Sequence, residues 1–488
     1  MKRLRLAIIC ILTVLLFAAV LPAHAETAEA EDLTKRMTFD FTGYSKAGKN
    51  ILERSVSRQT FKAGASFSMT WEEELTGARL CLQWLELPDG VRVLQYNADG
   101  ALLSNEPLRS LPETVTPILP DARKAVVQGG NAEMVVWFCA VYGAGELPDP
   151  FHDFLETPDH LDYLLISTHP DDDVLFLGSV VPVYGAEQGY TGSIVYVTTP
   201  NRERVTEAEN GAWAMGLRYR PVFLGMTDVS DAQQKKMGGL FRYKDLLLNL
   251  VRTYRRLRPL VVFAQDVKGE YGHWQHKEVS KASREAFKLA ADPTYDPESV
   301  EQYGVWQVQK LFIHLYKENT ILIDAHAPLT FFDGKDAFEV ACAAYKKHAS
   351  QQKCKFKVER DDGRFPFNRF GMSDGVVEVG EDVFDNVDET LLSDYVPPTP
   401  EPTAEPTPEP TPPPTPEPTE APTPEPTEAP TVAVETPEPS PTLIPLDKPS
   451  DPPPDSVHRD YTLWIVLGTL GAAAIAVSVV LLVKKKRV

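Results

Sequence analysis

The run Tyr163-Leu164-Leu165-Ile166-Ser167 passes directly into Thr168-His169-Pro170-Asp171-Asp172-Asp173. An uncharged run that stops at an imidazole, a proline and three carboxylates constrains the fold more than any other stretch. The run itself reads as a buried strand. A core strand needs no cluster of acids at its end. A divalent metal does: it takes an imidazole nitrogen and a carboxylate oxygen as ligands, while a neighbouring carboxylate handles the proton of a water. In open α/β sheets such sites lie at strand ends.

The region around this stretch, 156–395, alternates in type. Runs 193–198, 221–225 and 259–264 read as strands, and 204–216, 240–257 and 276–291 as helices. That alternation predicts a mostly parallel, Rossmann-like sheet with helices on both faces. Residues 26–155 differ. Short apolar runs at 37–41, 67–71, 78–87, 91–96 and 134–142 are separated in places by turns such as Pro88-Asp89-Gly90 and Ala98-Asp99-Gly100. They predict a β-sandwich of about 120 residues. Trp71, Trp84 and Trp137 are candidates for stacking on a sugar ring. Trp137, inside Val135-Val136-Trp137-Phe138, has the plainer reading of a core residue.

Composition has to be read by region. Proline, 42 residues in all, concentrates in 396–460, where Pro-Thr-Pro-Glu and close variants repeat. That stretch has no apolar face to bury and is expected to be a disordered, polyproline-like stalk. Lys2, Arg3 and Arg5, an apolar run and Ala23-His24-Ala25 read as a signal peptide over 1–25. Residues 461–483 are apolar and uncharged and are followed by Lys484-Lys485-Lys486-Arg487. They are expected to form one transmembrane helix with a short cytoplasmic tail, 484–488. The expected location is the cell membrane, single-pass, with the body extracellular. A net charge of -20, from 69 acidic and 49 basic residues, argues against a nucleic-acid partner. Cys81, Cys139, Cys342 and Cys354 remain after the leader. The pairs 81–139 and 342–354 are conceivable disulfides, and free thiols are an equal alternative.

A second cluster follows the strand at 259–264: Gly269-Glu270-Tyr271-Gly272-His273-Trp274-Gln275-His276. Histidines three apart at a helix start face the same way. Each cluster alone has a bland reading, a turn for His-Pro-Asp and two surface histidines for His-x-x-His. In a parallel sheet, however, both would open on the same edge. The two together resemble the PIG-L/LmbE-type family of metal-dependent N-acetylglucosaminyl deacetylases. The resemblance rests on His169-Pro170-Asp171-Asp172-Asp173, Arg204 with Glu207, Met215-Gly216, Leu224 with Asp228, Gly272-His273-x-x-His276, and a late helix over 345–351 ending in Ser350-Gln351.

The resemblance implies that His169, Asp172 and His276 bind the metal, usually Zn2+, although another divalent ion would serve. It implies that Asp171 is the general base and then the acid, that His273 stabilises the oxyanion, and that Arg204 and Asp228 hold sugar hydroxyls. For Arg204 and Glu207 an exposed helical ion pair is the plainer alternative. Asp173 stands where the family has Glu, and Trp274-Gln275 where it has Pro-Asp. The expected function is a membrane-anchored zinc hydrolase that removes the N-acetyl group from N-acetylglucosamine-type sugars or glycans. The alternatives are a non-catalytic surface glycan-binding protein and a zinc amidase acting on a non-acetyl amide.

Overall fold

The computed structural model describes residues 28–41, 51–52, 58–109 and 111–393. The expected signal peptide, stalk, transmembrane helix and cytoplasmic tail lie outside the described residues. Among the described residues no helix is long and apolar enough to cross a membrane.

The N-terminal unit contributes β1 (Thr38–Asp40), β2 (Gln59–Phe61), β3 (Ser66–Thr70), β4 (Arg79–Glu86), β5 (Arg92–Tyr96), β6 (Leu102–Pro107), β7 (Glu113–Pro117), β8 (Lys124–Gln128) and β9 (Met134–Tyr142). They form two antiparallel sheets, β1-β3-β8-β5-β6 and β2-β9-β4-β7. In β3, β5 and β8 buried and less buried residues alternate, so one face of that sheet meets the core. Phe61, Phe67, Leu82, Trp84 and Val127 fill the space between the sheets. Trp84 is 1% exposed and donates to Thr114 Oγ1 at 2.9 Å. Trp71 is also buried, so neither ring offers a face to a ligand. Cys81 pairs in register with Ala140, and Leu82 with Cys139. One step of register puts the two thiols on opposite faces of the sheet, in separate apolar clusters. Cys81 and Cys139 are not joined to each other, and Cys342 and Cys354 form no disulfide among the described residues.

The second unit holds β10 (Leu161–Ser167), β11 (Gly192–Thr198), β12 (Val222–Met226), β13 (Pro259–Ala264), β14 (Lys310–His314), β15 (Thr320–Leu322) and β16 (Arg369–Gly375). Its helices are α1 (Asp172–Leu175), α2 (Arg202–Ala214), α3 (Asp231–Met237), α4 (Tyr243–Leu257), α5 (Trp274–Leu289), α6 (Pro297–Tyr303) and α7 (Ala337–Lys347). The sheet order is β12-β11-β10-β13-β14-β16-β15. The first five strands are parallel, β16 runs antiparallel to β14, and β15 antiparallel to β16. The sheet is therefore mostly parallel, as the sequence led us to expect, and mixed only at the edge formed by β16 and β15.

The unbroken apolar run of β10 has a direct cause. Tyr163 and Leu165 pack on one face with Val174, Ala208 and Ala341 of α1, α2 and α7. Leu164 and Ile166 pack on the other with Leu250, Val251 and Val279 of α4 and α5. A strand covered on both faces has no polar side to alternate with. From β10 the chain builds outward through β11 to β12, then crosses back to β13 and β14. The strand order thus reverses between β10 and β13, and the crevice at such a reversal is where open α/β sheets place ligands.

The two units touch through α2. Glu113 of β7, 3% exposed, accepts from Arg202 at 3.1 Å, from Thr206 Oγ1 at 3.0 Å and from Gln83 Nε2 at 2.9 Å. The Arg202 guanidinium also stands 5.4 Å from the Trp137 ring, so Trp137 belongs to this seam.

Candidate active site

Three chain segments converge at the crevice. The segment after β10 brings His169 and leads into α1, the loop after β13 brings Glu270 to His273 and opens α5, and β14 ends in His314. His169 Nδ1 lies 2.9 Å from Asp172 Oδ2 and 3.1 Å from His276 Nε2, and the latter is 3.2 Å from the same Asp172 oxygen. Three donor atoms so close, with no proton to satisfy all of them, fit one cation. Tetrahedral ligands at about 2.0–2.1 Å from zinc stand roughly 3.3 Å apart.

The far side of each ring supports that fit. His169 Nε2 is 3.2 Å from Gln275 Oε1, and His276 Nδ1 is 2.7 Å from Glu270 Oε2. Each outer nitrogen therefore has an acceptor for its proton, which makes the inner nitrogen the one that would face an ion. Burial alone would raise the Asp172 carboxyl. His276 and then His169 outweigh it and hold the group well below the usual carboxylate range.

Asp171 takes a backbone conformation of φ 125°, ψ -23°, a region that side-chain-bearing residues rarely enter and that costs on the order of 1–3 kcal/mol. The strain aims its carboxylate into the cavity, where Oδ1 meets Arg204 at 2.9 Å. Burial, and next the charge of Asp172, raise Asp171 well above its ordinary value, with Arg204 opposing. A carboxylate pushed up in this way is a stronger base than a solvated one. His273 borders the cavity, its ring 4.8 Å from His169 and 4.6 Å from His276. Burial and the charges of the two neighbouring histidines lower it to about 4. It is neutral at pH 7 and keeps one N–H to donate. Its Nδ1 is buried with no hydrogen-bond partner among the described residues.

Arg204 and Glu207 are both buried, and at 4.0 Å they form no exposed ion pair. Arg204 instead donates to the Pro170 carbonyl and to Asp171. Glu207 accepts from Ser350 N at 2.6 Å and Ser350 Oγ at 2.7 Å. It ties the Ser350-Gln351 turn to the cavity wall. Asp228 lines the cavity 3.6 Å from His169 Nε2. Asp173, shorter than the Glu it replaces, still closes directly: it accepts from Tyr196 OH at 2.9 Å and from Asp171 N at 3.2 Å. Burial raises it to about 7. Trp274 donates to Val229 O at 3.1 Å, and Gln275 to Thr227 O at 3.0 Å.

Glu270, His314, Gln275 and Tyr271 also stand at or behind the site, and the sequence alone assigns none of them a role. Glu270 is fully buried between His276 and His314, 2.7 Å from a nitrogen of each. Burial would raise it, but the two histidines bring it down to about 2. Its position beside the histidine motif was the available signal. His314, 44 residues further on, gave none. The cavity has a volume of about 380 Å³ and is bordered by His169, Asp171, Asp172, Arg204, Asp228, Tyr271, His273, Ser350, Gln351 and Phe356, among others. That size falls within the range of about 300–1,000 Å³ for small-molecule sites.

A doubly wound sheet with a histidine–carboxylate cluster at its strand reversal is the architecture of a small-molecule site of the α/β class. Residues 164–287 match the family described as PIG-L, GlcNAc-PI de-N-acetylase, so the chain carries a PIG-L domain. The chain is 27% identical over 178 residues to 1D-myo-inositol 2-acetamido-2-deoxy-alpha-D-glucopyranoside deacetylase 1 of Catenulispora acidiphila, a match covering 30% of this chain and 54% of that protein. The chain thus spans about half the length of that relative. 1D-myo-inositol 2-acetamido-2-deoxy-alpha-D-glucopyranoside deacetylase 2 of Saccharopolyspora erythraea is 26% identical over 248 residues, covering 41% of this chain and 85% of that one. Among solved structures, N,N'-diacetylchitobiose deacetylase from Pyrococcus horikoshii aligns with a TM-score of 0.31 at 18% identity, over 40% of this chain and 70% of its own.

Proposed function

We propose that this protein is a metal-dependent hydrolase that removes the acetyl group from N-acetylglucosamine-type sugars. The observation that carries the reading is the convergence of His169 Nδ1, Asp172 Oδ2 and His276 Nε2 within 3.2 Å, with Asp171 beside them. Zinc suits two imidazoles and a carboxylate. A wider set, His169 with His273 and His276, brings its donor atoms only within 4.8 Å. The tighter triad is the better cradle and leaves His273 free for substrate. When bound, the ion supplies Lewis acidity at the acetyl carbonyl and eases formation of the nucleophile near neutral pH.

The chain's own groups supply the rest. Asp171 accepts the proton of the attacking water and later delivers it to the departing amine nitrogen. Neutral His273 donates its N–H to the oxygen that gains charge in the tetrahedral intermediate. Arg204 steadies the Asp171 carboxylate, and Asp228 accepts from a sugar hydroxyl. Acetate release from N-acetylglucosamine-containing substrates tests the assignment. We expect Asp171→Asn to lower kcat about 10²–10⁴-fold; turnover equal to wild type removes Asp171 as the base. Chelation is expected to abolish turnover and added zinc to restore it.

A cell-surface location is part of the same proposal and is supported by residues 1–25 and 461–488 of the sequence alone. Digestion of the body by protease added to intact cells is the expected result, and full protection overturns it.

A further inference from the structure

We propose that Tyr271 and Phe356 form an aromatic platform for a second sugar ring, so that the substrate is an N-acetylated oligosaccharide chain and not a lone monosaccharide; this deepens the deacetylase reading above and rests on it. Both rings border the cavity that holds the histidine–carboxylate triad. Both are large side chains left exposed, Tyr271 at 39% and Phe356 at 42%. Their centroids are 4.7 Å apart with planes 32° from parallel. Exposed apolar surface beside a polar cavity marks a contact surface. All six residues 352–357 around Phe356 are exposed.

The position of the pair selects the ligand. From the buried His276 ring to Tyr271 is 5.5 Å, and Phe356 packs on Tyr271, so the rings step outward from the triad to the mouth. The inner end offers Asp171, Arg204, Asp228 and His273, groups that suit hydroxyls and an acetamide. The outer end offers ring faces, which suit the C–H face of a pyranose. A sugar with its acetamide at the triad therefore projects its glycosidic neighbour over the platform.

Kinetics on the full-length, zinc-loaded protein test this with three substrates: N-acetylglucosamine, its β-1,4-linked tetramer and its octyl glycoside. Phe356→Ala is expected to lower the tetramer-to-monomer ratio of kcat/KM about tenfold, the loss of one stacking contact of about 1.4 kcal/mol. Phe356→Trp is expected to keep the wild-type ratio, and unchanged thermal unfolding checks that both variants fold. A ratio in Phe356→Ala equal to wild type overturns the platform. A loss confined to the octyl glycoside also overturns it, by assigning the rings to an apolar aglycone. Calorimetric titration of the tetramer into Asp171→Asn protein, with and without Phe356→Ala, separates the two readings. If no substrate releases acetate, the deacetylase reading falls, while a tetramer Kd unchanged by Phe356→Ala independently removes the platform.

Discussion

His276 presents Nε2 to the cavity because Nδ1 is committed to Glu270, and Glu270 is in turn held by His314, whose Nε2 lies 3.0 Å from the Pro366 carbonyl. A buried carboxylate between two imidazoles is costly without such partners and fixes ring orientation with them. Glu270→Gln keeps the size of the side chain and removes the charge. We expect it to weaken metal affinity about 10–100-fold, read by competition with a chromogenic chelator. Affinity equal to wild type would show that Glu270 does not set the orientation of His276. The two departures from the family motif act on the same scale. Gln275 gives His169 a neutral amide partner, and Asp173 reaches Tyr196 directly because the tyrosine hydroxyl comes to meet it.

At the scale of elements, α2 and α7 approach closely over a glycine. A Cβ on Gly211 would meet His348 Nε2 at 2.6 Å. His348 is fully buried beneath that contact, and burial lowers it to about 3. His152, stacked on Trp213 of α2 with centroids 5.1 Å apart, is lowered by burial to about 4. Both are neutral in the folded protein, whereas in the unfolded chain each takes up a proton below its ordinary value of 6.5. The unfolded state therefore binds more protons in this window, and stability rises with pH across it. The contribution is complete above about pH 6.5 and is lost as pH falls toward 4 and then 3. Depressions of this size correspond to about 3 kcal/mol or more per group. Urea unfolding at pH 7 and pH 5 should show the loss, and His152→Gln should reduce it. An unchanged pH dependence in that variant would remove His152 as a contributor.

At the scale of the molecule, Glu113 joins the sandwich to the helix that carries Arg204. Burial raises its carboxyl, which Gln83, Arg202 and Thr206 counter. Glu113→Ala leaves the Thr206 hydroxyl without its acceptor and the Arg202 guanidinium with the Pro112 carbonyl alone. We expect a loss of about 1–3 kcal/mol in thermal unfolding, and a smaller loss for Glu113→Gln, which keeps an acceptor oxygen. Equal unfolding of all three proteins would show that the seam carries no stability.

Much of the architecture was legible because its causes are local. Full burial wrote itself into β10, β11 and β13 as unbroken apolar runs, and alternation wrote the sandwich strands. Helix boundaries moved by a few residues where caps decide them: Asn201 accepts from Arg204 N and starts α2 at Arg202, two residues before the expected position. β14 escaped because a strand of Lys310-Leu311-Phe312-Ile313-His314 looks polar at both ends. In the fold the Lys310 ammonium donates to the carbonyls of Val379 and Val383, and His314 meets Glu270. Partners that far along the chain leave no periodic trace.

The residue types of the site, their order and the strand ends that bear them were determined by the sequence, since ligand chemistry and burial act on the residue itself. Only the tertiary structure decided that three donor atoms meet within 3.2 Å, that Arg204 grips Asp171, and that Glu270 stands between two histidines. Those are distances between segments up to 107 residues apart, and they exist only once the strand order reverses and brings the ends of β10 and β13 side by side.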